Sequence, residues 1–229
     1  MSSERKAPTA EPMAAFFDVR AEGYEAHMRH NRDLDRLYEA AAEHIQQTDA
    51  PIAILDLGCG TGMELASVLK RAPNARVTCV DVSAGMLDLL RQAYADRLEQ
   101  ITVVQASYLD WPYPKESFDY ALSTYSLHHF LPERKTAIYR NILAALKNGG
   151  LYLEADYMVR EKEMTEALRQ YHEHMAALGG ETGDYHIDIP FTPQVQLQLL
   201  RDAGFACATV ELEDLDSPRP SAVLRAAKV

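Results

Sequence analysis

The sequence predicts an α/β fold: a doubly wound, mostly parallel seven-stranded sheet, with helices ahead of it and an insertion after the fifth strand that forms a lid. Three observations carry this reading. Short apolar runs alternate along the chain with longer segments of helical periodicity. The first run, Ile52 to Leu57, enters three glycines at alternate positions, Gly58, Gly60 and Gly62, and a helical stretch follows. The second run, Arg76 to Val80, ends on Asp81, about twenty residues beyond the glycines.

In chain order, residues 1–12 read as a disordered tail. Residues 13–48 read as a helical cover: Phe16, Phe17 and Tyr24 need burial, and Leu34, Leu37, Tyr38, Ala41 and Ile45 share one face of a helix from Asp33 to Gln47. The main domain spans 49–229. After the second strand come a helix from Ala84 to Ala95, a third strand Ile101 to Gln105 and a fourth, Phe118 to Thr124. Pro132 and Glu133 open a helix that Asn148-Gly149-Gly150 stops, and Leu151 to Asp156 is the fifth strand. Residues 158–190 are the insertion, with a charged helix from Glu161 to Leu178 and a polar turn from Gly179 to Asp184. Thr192-Pro193 starts the last helix and Gly204 ends it; residues 205–212 and 222–229 then pair as final strands.

Bulk properties narrow the function. A formal net charge of −11 with no block of Lys or Arg argues against nucleic acid or an anionic membrane and for a small substrate. Cys59, Cys79 and Cys207 lack C-x-x-C spacing and read as reduced packing residues. No apolar run is long enough to cross a bilayer, and Met1 to Pro12 holds no signal-peptide core, so a cytoplasmic protein is expected.

Glycines at the end of a strand accept positive φ and let a ligand lie against main-chain N–H groups at a helix start, and an acid at the end of the next strand accepts ribose hydroxyls. The dinucleotide pattern G-x-G-x-x-G fails here because its third glycine falls at Met63, which counts against a nicotinamide-dependent reductase. A glycine turn without a ligand is the plain alternative.

Asp56-Leu57-Gly58-Cys59-Gly60-Thr61-Gly62 resembles the first motif of class I S-adenosylmethionine-dependent methyltransferases. Asp81-Val82-Ser83-Ala84-Gly85-Met86-Leu87 resembles the second, and Phe118 through His129, reading F-D-x-x-x-S-x-x-x-L-H-H, the fourth. The resemblance implies a Rossmann-like sheet whose last strand is antiparallel, S-adenosylmethionine as cofactor and methyl transfer to a small-molecule acceptor. It places Asp56, Gly58, Cys59, Gly60, Gly62, Asp81, Val82, Met86, Ser107, Tyr108, Ser123 and Thr124 around the cofactor. Ser107 stands where the family usually has a carboxylate, while Asp110-Trp111-Pro112-Tyr113 matches its D-L-P-F turn. Tyr24, His128 and His186 are the catalytic candidates; Tyr24 could equally staple the first helix and His128 cap the next one. Asp156 and Tyr157, at the end of the fifth strand, are expected to touch the acceptor. A module that binds the cofactor or its demethylated product without catalysis is the alternative function. No metal is expected: His27 and His30 lie beside Arg29 and Arg32, and of His172, His174, His186 and Asp188, which together suggest zinc, the first two diverge by about 200° on a helix.

Overall fold

A computed structural model describes residues 11–30, 34–178 and 184–229 of the chain. Its sheet is built from β1 (Ala53–Leu57), β2 (Arg76–Asp81), β3 (Ile101–Gln105), β4 (Phe118–Thr124), β5 (Leu146–Tyr157), β6 (Cys207–Asp214) and β7 (Ser221–Ala227). They lie in the order β3-β2-β1-β4-β5-β7-β6. Strands β1 to β5 pair in parallel, and β7 enters between β5 and β6 antiparallel to both. From β1 the chain builds outward to β2 and β3 on one side and later to β4 and β5 on the other. The crevice of a doubly wound sheet opens at such a reversal, beyond the carboxyl ends of its strands.

Burial on both faces explains the apolar runs. Ile54 packs into one core with Leu65, Val68 and Leu69 of α4 (Leu65–Arg71) and Leu87 and Leu90 of α5 (Ala84–Ala93). Its neighbour Leu55 points the other way, toward Ile138, Tyr139 and Ile142 of α6 (Pro132–Ala145) and Leu199 and Leu200 of α8 (Pro193–Ala203). Thr192 caps α8, its Oγ1 accepting the Val195 N–H at 3.2 Å; Gly204 ends that helix at φ 109°.

The cover ahead of the sheet is three short helices, α1 (Met13–Arg20), α2 (Tyr24–Arg29) and α3 (Leu34–Ala42). α3 stops before Gln47 because tertiary partners take its next backbone groups: Arg71 Nε donates to Ile45 O at 2.8 Å, and Gln46 N–H donates to the Tyr120 hydroxyl at 3.0 Å. Of the expected tail, residues 1–10 lie outside the described residues, but Glu11 and Pro12 belong to the fold. Pro12 bridges to Tyr185 and Glu11 O accepts the His186 N–H at 2.9 Å. β5 begins at Leu146, opposite Phe118, rather than at Leu151. Gly149, at φ 78°, and Lys147, bonded through Nζ to both Asp119 oxygens at 2.9 Å, shape an irregular entry that reads locally as a helix stop. The insertion carries α7 (Glu161–Ala177), and its expected polar turn, Gly179 to Asp184, lies outside the described residues except for Asp184. Among the described residues no helix is long and apolar enough to cross a membrane.

Candidate active site

The glycine loop joins β1 to α4 with Gly58, Gly60 and Gly62 at φ 69°, 51° and 77°. These angles turn the amides inward, contrary to the expectation that they face a ligand. Gly58 N–H donates to Val80 O at 2.8 Å, Gly60 N–H to Asp81 Oδ2 at 2.9 Å and Gly62 N–H to Cys59 O at 2.8 Å. The three glycines also differ in purpose. A Cβ on Gly58 would stand 2.4 Å from Ser126 Cβ, and one on Gly62 3.0 Å from Leu65 Cδ1; one on Gly60 would meet nothing within 4 Å. Gly58 and Gly62 are therefore demanded by packing, and Gly60 faces open space.

Asp81 anchors the loop and keeps capacity for a ligand. Its Oδ1 accepts the Ser83 N–H at 2.8 Å and its Oδ2 the Gly60 N–H, which leaves about two of the four lone-pair positions of a carboxylate. Beneath the loop the polarity is one-sided. Both Asp56 oxygens, Glu64 Oε1 and the Thr61 hydroxyl are buried with no hydrogen-bond partner among the described residues. Burial first, and then the Glu64 charge, pushes the Asp56 carboxyl well up; burial likewise raises Glu64 and Asp81. These groups are sealed beneath the loop; above it, the open side of Gly60 and the remaining lone pairs of Asp81 suit a ligand carrying hydroxyls, as the expected adenosyl sulfonium does.

The other residues expected around the cofactor divide by burial. Val82 is half-buried at the end of β2, whereas Cys59 and Met86 are inside the core. Ser107 Oγ accepts the Leu109 N–H at 3.3 Å, and Tyr108 is buried with its hydroxyl donating to Ser126 O at 3.0 Å. Ser123 Oγ lies 2.6 Å from the Tyr152 hydroxyl, and Thr124 Oγ1 donates to Glu64 Oε2 at 3.2 Å. The side chains of Tyr108, Ser123 and Thr124 are thus engaged inside the protein.

Beside this crevice a cavity of about 690 Å³ opens at the carboxyl ends of β4 and β5, lined by Tyr125 and Tyr157 from the strand ends and by Phe16, Phe17, Tyr24 and Met28 from α1 and α2. His128, His129, His186 and Asp188 form one polar patch of its wall; Arg20, Glu22, His27 and Arg219 also line it. Tyr125 holds a left-handed backbone at φ 46°. The insertion reaches the cavity through the return segment, whose His186 stacks on Phe16 with ring centroids 3.5 Å apart, and not through α7. Tyr24, His128, His186 and Tyr157 stand together there. Asp156 does not join them: fully buried, it accepts the Leu127 and Tyr157 N–H groups at 3.0 and 2.7 Å and holds His128 Nδ1 at 2.6 Å. Its end-of-strand position suggested acceptor contact, but the His128 ring stands between it and the cavity.

The imidazoles titrate differently. Burial alone lowers His128, yet Asp156, followed by Asp188, outweighs it and pushes the ring up to about 9. Burial and then the His128 charge lower His129; burial and then His129 bring His186 down to about 4. Asp156 is held low by the His128 imidazolium although burial opposes this. His129 closes the fourth motif, though from sequence only His128 of that motif is a catalytic candidate; Glu64, and Asp18, whose Oδ1 lies 2.6 Å from Ser83 Oγ, carry no mark in their spacing.

Comparison with known proteins agrees with this geometry. Residues 54–150 match a family described as a methyltransferase domain. An uncharacterized methyltransferase of Geobacillus thermodenitrificans is 30% identical over 171 residues, covering 74% of this chain and 73% of its own. One from Anoxybacillus flavithermus is 26% identical over 208 residues, covering 82% and 95%. Human N-acetylserotonin methyltransferase, solved in complex with S-adenosylmethionine, superposes with a TM-score of 0.67 at 17% identity; the match covers 96% of this chain and 60% of that one.

Proposed function

The chain belongs to the S-adenosylmethionine-dependent methyltransferases, and from that premise we propose that it methylates a small-molecule acceptor seated among the rings and imidazoles of the 690 Å³ cavity. One observation carries the proposal: the cavity opens at the ends of β4 and β5, where Tyr125 of its wall adjoins the Ser126 that packs on Gly58, so an acceptor there lies next to the crevice in which Gly60 and Asp81 would hold the cofactor.

When bound, S-adenosylmethionine supplies a methyl carbon on a sulfonium; the acceptor's lone pair forms the new bond as the carbon–sulfur pair passes to sulfur. Charge disperses in that transition state, so alignment in a dry pocket contributes more than any protein nucleophile. Tyr24 and the rings of Phe16 and Phe17 exclude water from above. His186 and His129, kept neutral by burial, can take a proton from an acceptor that arrives protonated. His128, held as a cation by Asp156, attracts an electron-rich acceptor atom. The three unbridged cysteines support a reducing, cytoplasmic setting.

Calorimetry with S-adenosylmethionine and its demethylated product, on the intact chain and on Asp81→Ala, tests the cofactor half; a screen of small molecules for labelled methyl uptake tests the other. No heat from either compound, with Asp81→Ala indistinguishable from the parent, would end the proposal. Binding without uptake by any acceptor favours the non-catalytic module.

A further inference from the structure

At one end of the cavity, one nitrogen each from His128 and His129 and an oxygen from Asp188 lie within 4.8 Å of one another. Asp188 Oδ1 is 3.6 Å from His128 Nε2 and 3.3 Å from His129 Nδ1. Ligand atoms around a zinc-sized ion, at bonds of about 2.0–2.1 Å, stand roughly 3.3 Å apart, so small side-chain shifts would close the set. We propose that His128, His129 and Asp188 form a binding site for one divalent transition-metal ion, with its remaining coordination positions turned toward the cavity.

Three features separate this cluster from a chance meeting of polar groups. The set is two imidazoles and one carboxylate, which leaves positions open, as working rather than structural metal sites do. His128 Nδ1 is held at 2.6 Å by Asp156, itself fixed by two backbone N–H groups; a ligating histidine whose far nitrogen meets a buried carboxylate is the usual outer shell of such sites. The return segment is also pinned beside its partner, because Ile189 N–H donates to His128 O at 2.7 Å, and this keeps Asp188 next to both rings. His129 Nδ1 also lies 3.3 Å from Ile187 O, a bond that needs the ring's proton on Nδ1, so coordination through that nitrogen gives up this hydrogen bond and moves the proton to Nε2. His186 stays stacked on Phe16, its Nε2 3.9 Å from Asp188 Oδ1, at the edge of the site.

What such an ion would do rests on the methyl-transfer reading: it would take the place of the proton on His128 Nε2 as the positive charge facing the acceptor, and leave His186 rather than His129 as the proton acceptor. Open positions beside Tyr125, Tyr157 and the α1 rings suit an acceptor that carries a hydroxyl or carboxylate oxygen on a flat, apolar body.

The test uses tag-free full-length protein stripped by a chelator, then titrated calorimetrically with Zn²⁺ alone and Mn²⁺ alone, and with Co²⁺ while its visible absorption is followed. The site predicts one ion per chain for at least one metal. Asp156→Asn should weaken binding about 10- to 100-fold, the range for outer-shell partners, and Asp188→Asn, a half-exposed position, should weaken it further. His129→Gln, from within the cluster, should do the same. Heat from no metal, or equal binding by Asp188→Asn and His129→Gln, would overturn the site and leave Asp188 as a counter-ion to the His128 imidazolium. Titrating the same samples with S-adenosylmethionine keeps the two readings apart: loss of metal binding with cofactor binding intact removes only the metal site.

Discussion

The carboxylate of Asp18, on α1, accepts a 2.6 Å hydrogen bond from the hydroxyl of Ser83, the N-cap of α5, and a second from Gly85 N–H at 3.0 Å. One oxygen thereby fastens the N-terminal cover to the turn that follows Asp81. Asp18→Ala removes both bonds, a loss of about 1–2 kcal/mol, and should lower the melting temperature by roughly 2–8 °C. Cleavage within α1 should speed up under limited proteolysis; an unchanged fragment pattern would show that the cover is held by other contacts.

Gly58 and Gly60 should respond to the same substitution in opposite ways. Gly58→Ala drives a methyl into Ser126 and should cost about 2–4 kcal/mol from overpacking and left-handed backbone together. Gly60→Ala meets open space, so only the left-handed backbone, about 1–2 kcal/mol, counts against the fold, while the methyl occupies room reserved for the cofactor. Thermal melts with and without S-adenosylmethionine check this: Gly60→Ala should melt only a few degrees below the parent, well above Gly58→Ala, and lose most of the ligand-induced shift.

His128→Asn tests the division between crevice and cavity. Turnover should fall by about 10²-fold or more, since the ring, held from behind by Asp156, faces the acceptor. Cofactor affinity should stay within a few-fold. A large loss of cofactor binding would move His128 to the other side of the site.

Glu154 should give the protein a pH-dependent stability. It is fully buried among Tyr139, Tyr152 and Gln196, with Lys135 and Asp156 as the charged groups facing it, and burial pushes its carboxyl up to about 7 despite the pull of Lys135. A folded pKa above the ordinary 4.5 gives a contribution present in full below that value and lost as pH rises through about 7, at most about 3 kcal/mol by pH 8. Denaturant titrations at pH 5 and pH 8 should show the difference, and Glu154→Gln should flatten it. Equal slopes in the two proteins would assign the pH effect elsewhere.

Much of this was visible in the sequence because it is local. The parallel strands announce themselves as apolar runs, and the spacing of Gly58, Gly60, Gly62 and Asp81 places the crevice. What spacing does not carry is direction and long-range meeting. It locates the loop but not the inward turn of its amides, which depends on Val80 and Asp81 lying beside it. It places Asp156 at a strand end without showing His128 in front of it. The approach of Asp188 to His129, and of Asp18 to Ser83 65 residues away, exists only once the insertion and the cover have folded over the sheet.

Tyr125 keeps an aromatic ring where the backbone would rest more easily as glycine or asparagine, a conformational burden of about 1–2 kcal/mol at the cavity wall. Variants sorted by heat resistance alone will therefore tend to shed this ring, and variants sorted by product formation will tend to keep it. Comparing the two pools at this codon would reveal whether the wall was shaped for endurance or for grip.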